Sequence, residues 1–110
     1  MGDRGNIEVK SYNNQPSVFL YTHWSGTSLP AILASALKRG RDRWEDPTYL
    51  TRIIFCEMVK YELMDTTGYG ISSTEGDSNH DLIVVDPINK TVNRNHSFED
   101  WIAFHLPKEG

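Results

Sequence analysis

The chain has 110 residues, 38% of them hydrophobic and 24% charged, and a formal net charge of −4 at pH 7. We expect one globular domain over residues 1–110, because this length supports a single modest core and the composition is not that of a disordered chain. The charge argues against broad nucleic-acid binding, and no apolar run approaches the roughly 18 residues of a membrane span. The first residues lack the pattern of a secretory signal and Cys56 stands alone, so we expect a reducing cytoplasm.

Two strands are predicted first. Residues 6–10 alternate between apolar and polar side chains, which predicts a strand with one buried face. Residues 17–23 are rich in aromatic and branched side chains, which favour a strand. The segment 13–16 between them combines asparagines with a proline and is typical of a turn. The three segments together predict a β-hairpin.

Apolar side chains spaced three and four residues apart then predict a helix. Thr27 or Ser28 can cap its start, and Pro30 fits its first turn. Gly40 follows the last apolar position, where a positive φ is usual. This helix is therefore predicted to end just before Gly40.

A second helix is predicted from Pro47 to about Leu63. Asp46 supplies a carboxylate cap and Pro47 suits the first helical position, where a missing N–H costs little. Its apolar face is broad and includes Met58 and Tyr61. We expect this to be the central helix of the domain.

Three further strands and a short helix complete the prediction, at residues 69–74, 82–85 and 91–92 and from the capping Ser97 onward. The element order is ββααβββα. We predict an α/β (α+β) fold with two layers, in which two to three helices pack on a mainly antiparallel sheet of about five strands.

The segment between the two long helices is the first candidate site. It carries Arg39, Arg41, Arg43 and Trp44. Guanidinium forks suit phosphate or carboxylate, and a tryptophan face suits a base or a cation. The alternative is a solvated joint in which Trp44 fills the core and the arginines pair with neighbouring acids. Sequence alone favours this alternative, because charge runs are usually surface features; the acids are Asp42, Glu45 and Asp46.

The second candidate site is where the second strand runs through a turn into a helix. Free N–H groups and the helix dipole at such a point favour an anion. The residues are His23, Trp24, Ser25, Gly26, Thr27 and Ser28. They lack the Gly-Lys-Ser/Thr ending of a phosphate loop and the leading glycine of a nucleophile elbow, so Ser25 is a poor hydrolase serine. The alternative is a capped helix with Trp24 packed on it.

Gly68, Tyr69 and Gly70 form the third candidate site. Two glycines around a tyrosine let a ligand approach the backbone, or else simply fix a bend. Asp77 and His80 match no metal-ligand spacing, so we expect no metal, no cofactor and no catalytic residue.

Trp101 and Phe104 lie on the short terminal helix. Two large aromatic side chains cannot easily share one buried stripe of so short a helix. We therefore expect one to face a partner and the protein to be a homo-oligomer, unless the helix lies flat and buries both.

Several motifs resemble a family of small uncharacterised accessory proteins from phages, prophages and archaeal viruses. They are Met1-Gly2-Asp3-Arg4-Gly5-Asn6-Ile7, Tyr21-Thr22-His23-Trp24-Ser25-Gly26, Leu29-Pro30, Arg39-Gly40-Arg41-Asp42-Arg43-Trp44, Tyr49-Leu50-Thr51-Arg52-Ile53-Ile54-Phe55, Thr67-Gly68-Tyr69-Gly70-Ile71-Ser72 and Ile83-Val84-Val85-Asp86. The resemblance does not extend to residues 90–110. It implies an accessory viral protein in a host cytoplasm, and such proteins often inhibit host defence.

Three hypotheses follow. The first is a non-catalytic protein that sequesters a small phosphorylated ligand, such as a nucleotide defence signal, at a site where the three candidate segments converge. The second is a protein inhibitor that covers a basic surface of a host defence protein or nuclease, using the acidic segments 75–81 and 99–100. The third, a small hydrolase, lacks a supporting motif.

Overall fold

The computed structural model describes residues 2–13 and 15–106, which form six strands and three α-helices. The strands are β1 (Gly5–Val9), β2 (Val18–Thr22), β3 (Tyr69–Ser72), β4 (Ile83–Asp86), β5 (Thr91–Val92) and β6 (His96–Ser97). The helices are α1 (Leu29–Arg39), α2 (Pro47–Val59) and α3 (Phe98–His105), with single 3₁₀ turns at Gly26–Ser28 and Arg41–Arg43. The predicted α+β class is confirmed.

All six strands form one sheet in the order β3-β2-β1-β4-β5-β6. The β1–β4 pair is parallel and the other pairs are antiparallel, so the mainly antiparallel prediction is confirmed, as is the β1–β2 hairpin. The predicted turn of this hairpin includes Asn14, which lies outside the described residues. The sequence missed β6, which is two residues long and runs directly into α3.

The core lies between the sheet and the helices. Ile7, Leu20 and Val85 share one face of the sheet and are completely buried. The apolar stripe of α1, including Leu33 and Leu37, packs into the same cluster. The two ends of α1 lie about 16 Å apart, because the helix has 11 residues.

Two element boundaries differ from the prediction. α2 ends at Val59 and not near Leu63, because the chain turns there and the Glu62 N–H donates to the Val59 carbonyl at 2.8 Å. Tyr61 therefore lies outside the apolar face of α2. Gly40 has a φ of −94° and not a positive value, because the chain continues directly into the 3₁₀ turn Arg41–Arg43.

A loop covers part of the opposite face of the sheet. The Asn6 side chain is completely buried beneath it, and its amide donates to the carbonyls of Gly76 (3.0 Å) and Asp77 (3.2 Å). The Gly76 N–H donates in return to Asn6 Oδ1 at 3.0 Å. In the described part of the chain, no helix has the length and apolar character needed to cross a membrane.

Candidate functional site

The second and third candidate segments meet at one end of the sheet. β2 and β3 are neighbours, and the His23 N–H donates to the Gly68 carbonyl at 2.8 Å. The linker, residues 39–44, follows the far end of α1. That helix has 11 residues, which is about 16 Å of length. The length of α1 therefore separates the linker from the second segment, and the expected convergence of all three segments stays a prediction.

Trp24 lies against Gly68, which has a φ of +95°. A side chain at Gly68 would overlap the indole, so the glycine serves both the backbone conformation and the close contact. The His23 ring packs edge-on against Trp24 at 4.4 Å between centroids and bonds the Tyr21 hydroxyl through Nδ1 at 3.0 Å. Half of the Trp24 surface, 50%, remains exposed.

Asp3 occupies the place that an anionic ligand would take at the start of α1. Its carboxylate accepts the Thr27 N–H at 2.9 Å, and its backbone carbonyl accepts the Gly26 N–H at 2.7 Å. The Ser28 N–H donates to the Ser25 carbonyl at 2.9 Å. These three donors are already paired within the chain. A phosphate would have to displace Asp3 to use them.

Asp3 also binds His80. The Asp3 Oδ1 to His80 Nε2 distance is 2.6 Å, and this hydrogen bond, with that from Thr27, lowers the pKa of Asp3 to about 2. The Thr27 hydroxyl lies 3.5 Å from the same His80 nitrogen. A catalytic relay needs the carboxylate and the nucleophile on opposite ring nitrogens. The arrangement is therefore a hydrogen-bonded clamp and not a hydrolytic triad.

The sequence analysis missed this clamp. It includes Arg4 and Asn79, whose backbone groups are joined by an Asn79 N–H to Arg4 carbonyl bond of 2.8 Å. Asp3 and His80 are 77 positions apart, and no local pattern relates them. Their contact could be predicted only if the pairing of β1 with β4 were already known.

A cleft of about 300 Å³ lies beside the clamp. Its walls include Leu29, Pro30, Ile83 and Trp101, and none of its lining residues is an arginine or a lysine. The Trp101 indole N–H is already bound to the Pro30 carbonyl at 3.1 Å. This cleft offers no cation for a phosphate.

The linker arginines mostly have partners inside the protein. Arg39 bonds the Glu57 carboxylate at 3.1 Å and the Ile53 carbonyl at 3.0 Å, and Arg41 pairs with Glu99. Arg43 differs: its guanidinium lies 5.2 Å from the centre of the Tyr49 ring, and it pairs with no carboxylate within residues 2–13 and 15–106.

Trp44 matches the alternative of a solvated joint, but the neighbouring acids do not. Trp44 packs on Phe98 at 5.2 Å between centroids and donates its indole N–H to the Leu37 carbonyl at 2.8 Å. Glu45 pairs with Lys90 at 2.9 Å and Asp46 caps α2. The arginines pair with Glu57 and Glu99, and not with the neighbouring acids that this alternative had named.

Large apolar side chains are exposed around β3 and the loop that leads into it. We call this set the β3-edge surface. It consists of Trp24, Tyr61, Leu63, Met64 and Ile71, with exposures of 50%, 87%, 68%, 86% and 63%. The sequence analysis did not predict this surface, because it extended α2 to about Leu63 and placed Tyr61 on the apolar face of that helix.

The two large aromatic residues of α3 differ in burial, as expected if one of them faces away from the core. Trp101 is 7% exposed and Phe104 is 79% exposed. His105 packs against Trp101, and burial, followed by the neighbouring His96, lowers its pKa. The expected homo-oligomer stays a prediction.

No group of three or more histidine, cysteine, aspartate or glutamate side chains in the described segments could hold a metal ion. No family model matches the chain, and no curated protein or solved structure matches it. Its function is therefore argued from its own residues.

Proposed function

We propose that this chain is a non-catalytic viral accessory protein that inhibits a host defence protein by direct contact through the β3-edge surface. The observation that carries the proposal is that five large apolar side chains in β3 and in the segments next to it are exposed. Exposed apolar clusters of this kind mark interaction sites, whereas single exposed apolar residues do not. The viral setting and the host cytoplasm come from the resemblance of the motifs.

The polar groups near this surface support binding over catalysis. Asp3, Thr27 and His80 are bound to one another, and the geometry at His80 does not support proton relay. These contacts join the start of α1 to the loop that carries His80. A surface that is already formed in the free protein loses less entropy on association with a partner.

The charge around the β3-edge surface indicates a basic partner. Glu62 and Asp65 precede β3 and Glu75 follows it. Asp65 and Glu75 form no ion pair within the part of the chain that the structure describes. Carboxylates at the rim of an apolar surface steer a positively charged protein toward it and disfavour acidic ones.

The test measures phage plating on a defence-active host that expresses the protein. Replacing Leu63 and Met64 together by serine should reduce the protection of the phage by at least about tenfold, because the few residues that carry most of the binding free energy of an interface together contribute more than about 1.4 kcal/mol. Ile88→Ser is the matched control, since Ile88 is 44% exposed and lies outside this surface. Full protection by the double variant would contradict the proposal.

Arg43 favours a second candidate, the sequestration of a phosphorylated ligand. Its guanidinium is free of carboxylates among the described residues, and it lies over Tyr49, which is 47% exposed and could stack on a base. Here the protein would be incubated with extract of infected, defence-active cells, washed and denatured, and the released small molecules read by mass spectrometry. A stoichiometric nucleotide, lost in Arg43→Ala and retained in Lys38→Ala, would establish this candidate. An empty wild-type protein would exclude it.

A further inference from the structure

β3 is an end strand of the sheet, with β2 on one side and, among the described residues, no strand on the other. Proteins usually protect such an edge with a charge, a proline, a bulge, very short length or a covering element. β3 has four residues, Tyr-Gly-Ile-Ser, with neither a charge nor a proline. The opposite edge strand, β6, has only two residues and is followed at once by α3.

The register identifies which backbone groups of β3 are free. Thr22 lies opposite Tyr69 and Tyr21 opposite Gly70. The His23 N–H donates to Gly68, so residues 68, 70 and 72 direct their N–H and C=O groups toward β2. The groups of Tyr69 and Ile71 consequently point away from the sheet. They form a ready template for an added strand.

The acids that flank β3 decide between a second copy of this chain and a different protein. A two-fold axis at Gly70 would pair Tyr69 with Ile71 of the second copy, which satisfies the free groups. Each copy, however, carries a formal net charge of −4 and has exposed carboxylates at Asp65 and Glu75, before and after β3 in the chain. Two copies of the chain therefore repel each other, and self-pairing is disfavoured. A basic segment of a different protein is attracted by these carboxylates.

We propose that β3 accepts an extended, basic segment of the partner protein as a seventh strand, hydrogen-bonded to the backbone of Tyr69 and Ile71. The exposed Ile71 side chain would contact an apolar residue of that segment, and lysines or arginines would lie near Asp65 and Glu75. This inference rests on the proposed function, and it specifies how the partner is held.

The probe is a labelled peptide of alternating lysine and valine, with a glutamate–valine peptide as its matched control. We expect the lysine peptide alone to bind, and hydrogen exchange by NMR to slow at the amides of Tyr69 and Ile71. Ile71→Pro removes an outward N–H, which an edge strand tolerates, and should abolish binding. Ile71→Val should bind normally. The Gly70 amide, which faces β2, reports in each variant whether the sheet is intact.

Absence of binding by the lysine peptide, or binding without protection of these two amides, would overturn the inference. So would a dimer of the free protein in which the same two amides are protected. The phage-plating assay separates the two proposals. If Ile71→Pro keeps full protection while the Leu63 and Met64 double variant loses it, contact inhibition stands and strand addition fails. If the Leu63 and Met64 double variant keeps full protection, the proposed function itself fails.

Discussion

At the candidate site, Asp3 contacts several residues that are distant in sequence. It joins the start of α1 to the loop that carries His80, through its carboxylate and its backbone. Its pKa of about 2, below the ordinary 3.8, means that the folded protein holds this carboxylate in its ionised form. Its contribution to stability should therefore depend on pH.

For a carboxylate with a lowered pKa, the stabilisation is present above the unfolded pKa and is lost as pH falls through the folded one. The Asp3 contribution should be complete above about pH 4 and decline between about pH 4 and 2. Asp3→Asn should be less stable than the wild type at pH 7, and the difference should shrink in that acidic range. Urea unfolding followed by circular dichroism measures both. A difference that stays constant down to pH 2 would show that Asp3 is not the linked group.

Gly68 and Gly70 allow two effects of a glycine on stability to be compared: the need for a special backbone conformation and the flexibility of the unfolded chain. Gly68 has a positive φ and no room for a Cβ beside Trp24, whereas nothing lies within 4 Å of a Cβ added at Gly70. Gly68→Ala should lower the free energy of unfolding by at least about 1–2 kcal/mol, the cost of a left-handed backbone in an L-residue. Gly70→Ala should be neutral or slightly stabilising.

Urea denaturation with tryptophan fluorescence would follow both glycine variants, because Trp24 lies against Gly68. Equal stability of the two variants would contradict the cost assigned to the positive φ and close contact at Gly68.

Among the elements, the helix starts differ in how they are capped. Asp46 accepts the Tyr49 N–H at 3.1 Å at the start of α2, whereas Ser28 makes no side-chain cap bond at the start of α1. Asp46→Ala should cost about 1 kcal/mol of stability and Ser28→Ala much less. Chemical unfolding of both variants would measure this. If Ser28→Ala lost more stability than Asp46→Ala, Ser28 and not Asp3 would be the residue that caps the start of α1.

The elements that could be predicted are those with strong local signals. The stripe of α1 and the Asp46-Pro47 start of α2 depend on neighbours within a few residues, and both were predicted correctly. The end of α2 and the strand β6 depend on what packs against them, which the sequence does not state. The clamp between Asp3 and His80 exists only because β1 and β4 are paired.

At the scale of the whole molecule, α1 separates two kinds of surface. The apolar β3-edge surface and its acids lie near the start of the helix, and the basic linker lies at its end. Each candidate motif could therefore be found from the sequence alone. The sequence could not show whether two motifs share a site, because that depends on the direction in which α1 crosses the sheet.

The position of a strand in the sheet should set how fast its amides exchange with solvent. β1 is paired on both sides and its Ile7 and Val9 are buried, whereas β3 is an edge strand. In the free protein, the amides of β1 should exchange slowest and those of Tyr69 and Ile71 among the fastest of any strand. Hydrogen exchange by NMR would show this. Slow exchange at Tyr69 and Ile71 in the free protein would mean that something already covers the edge.

The parallel pairing of β1 with β4 has a consequence for how the protein is made. β1 is synthesised first, but its second neighbour is complete only when Ile83 to Asp86 have left the ribosome. Until then, the β1–β2 hairpin has an open inner edge, which is an aggregation hazard for a nascent chain. Contacts so distant in sequence also slow folding, because the intervening loop must be ordered before the pair forms. The rate-limiting step of folding is therefore expected to be the docking of β4 beside β1.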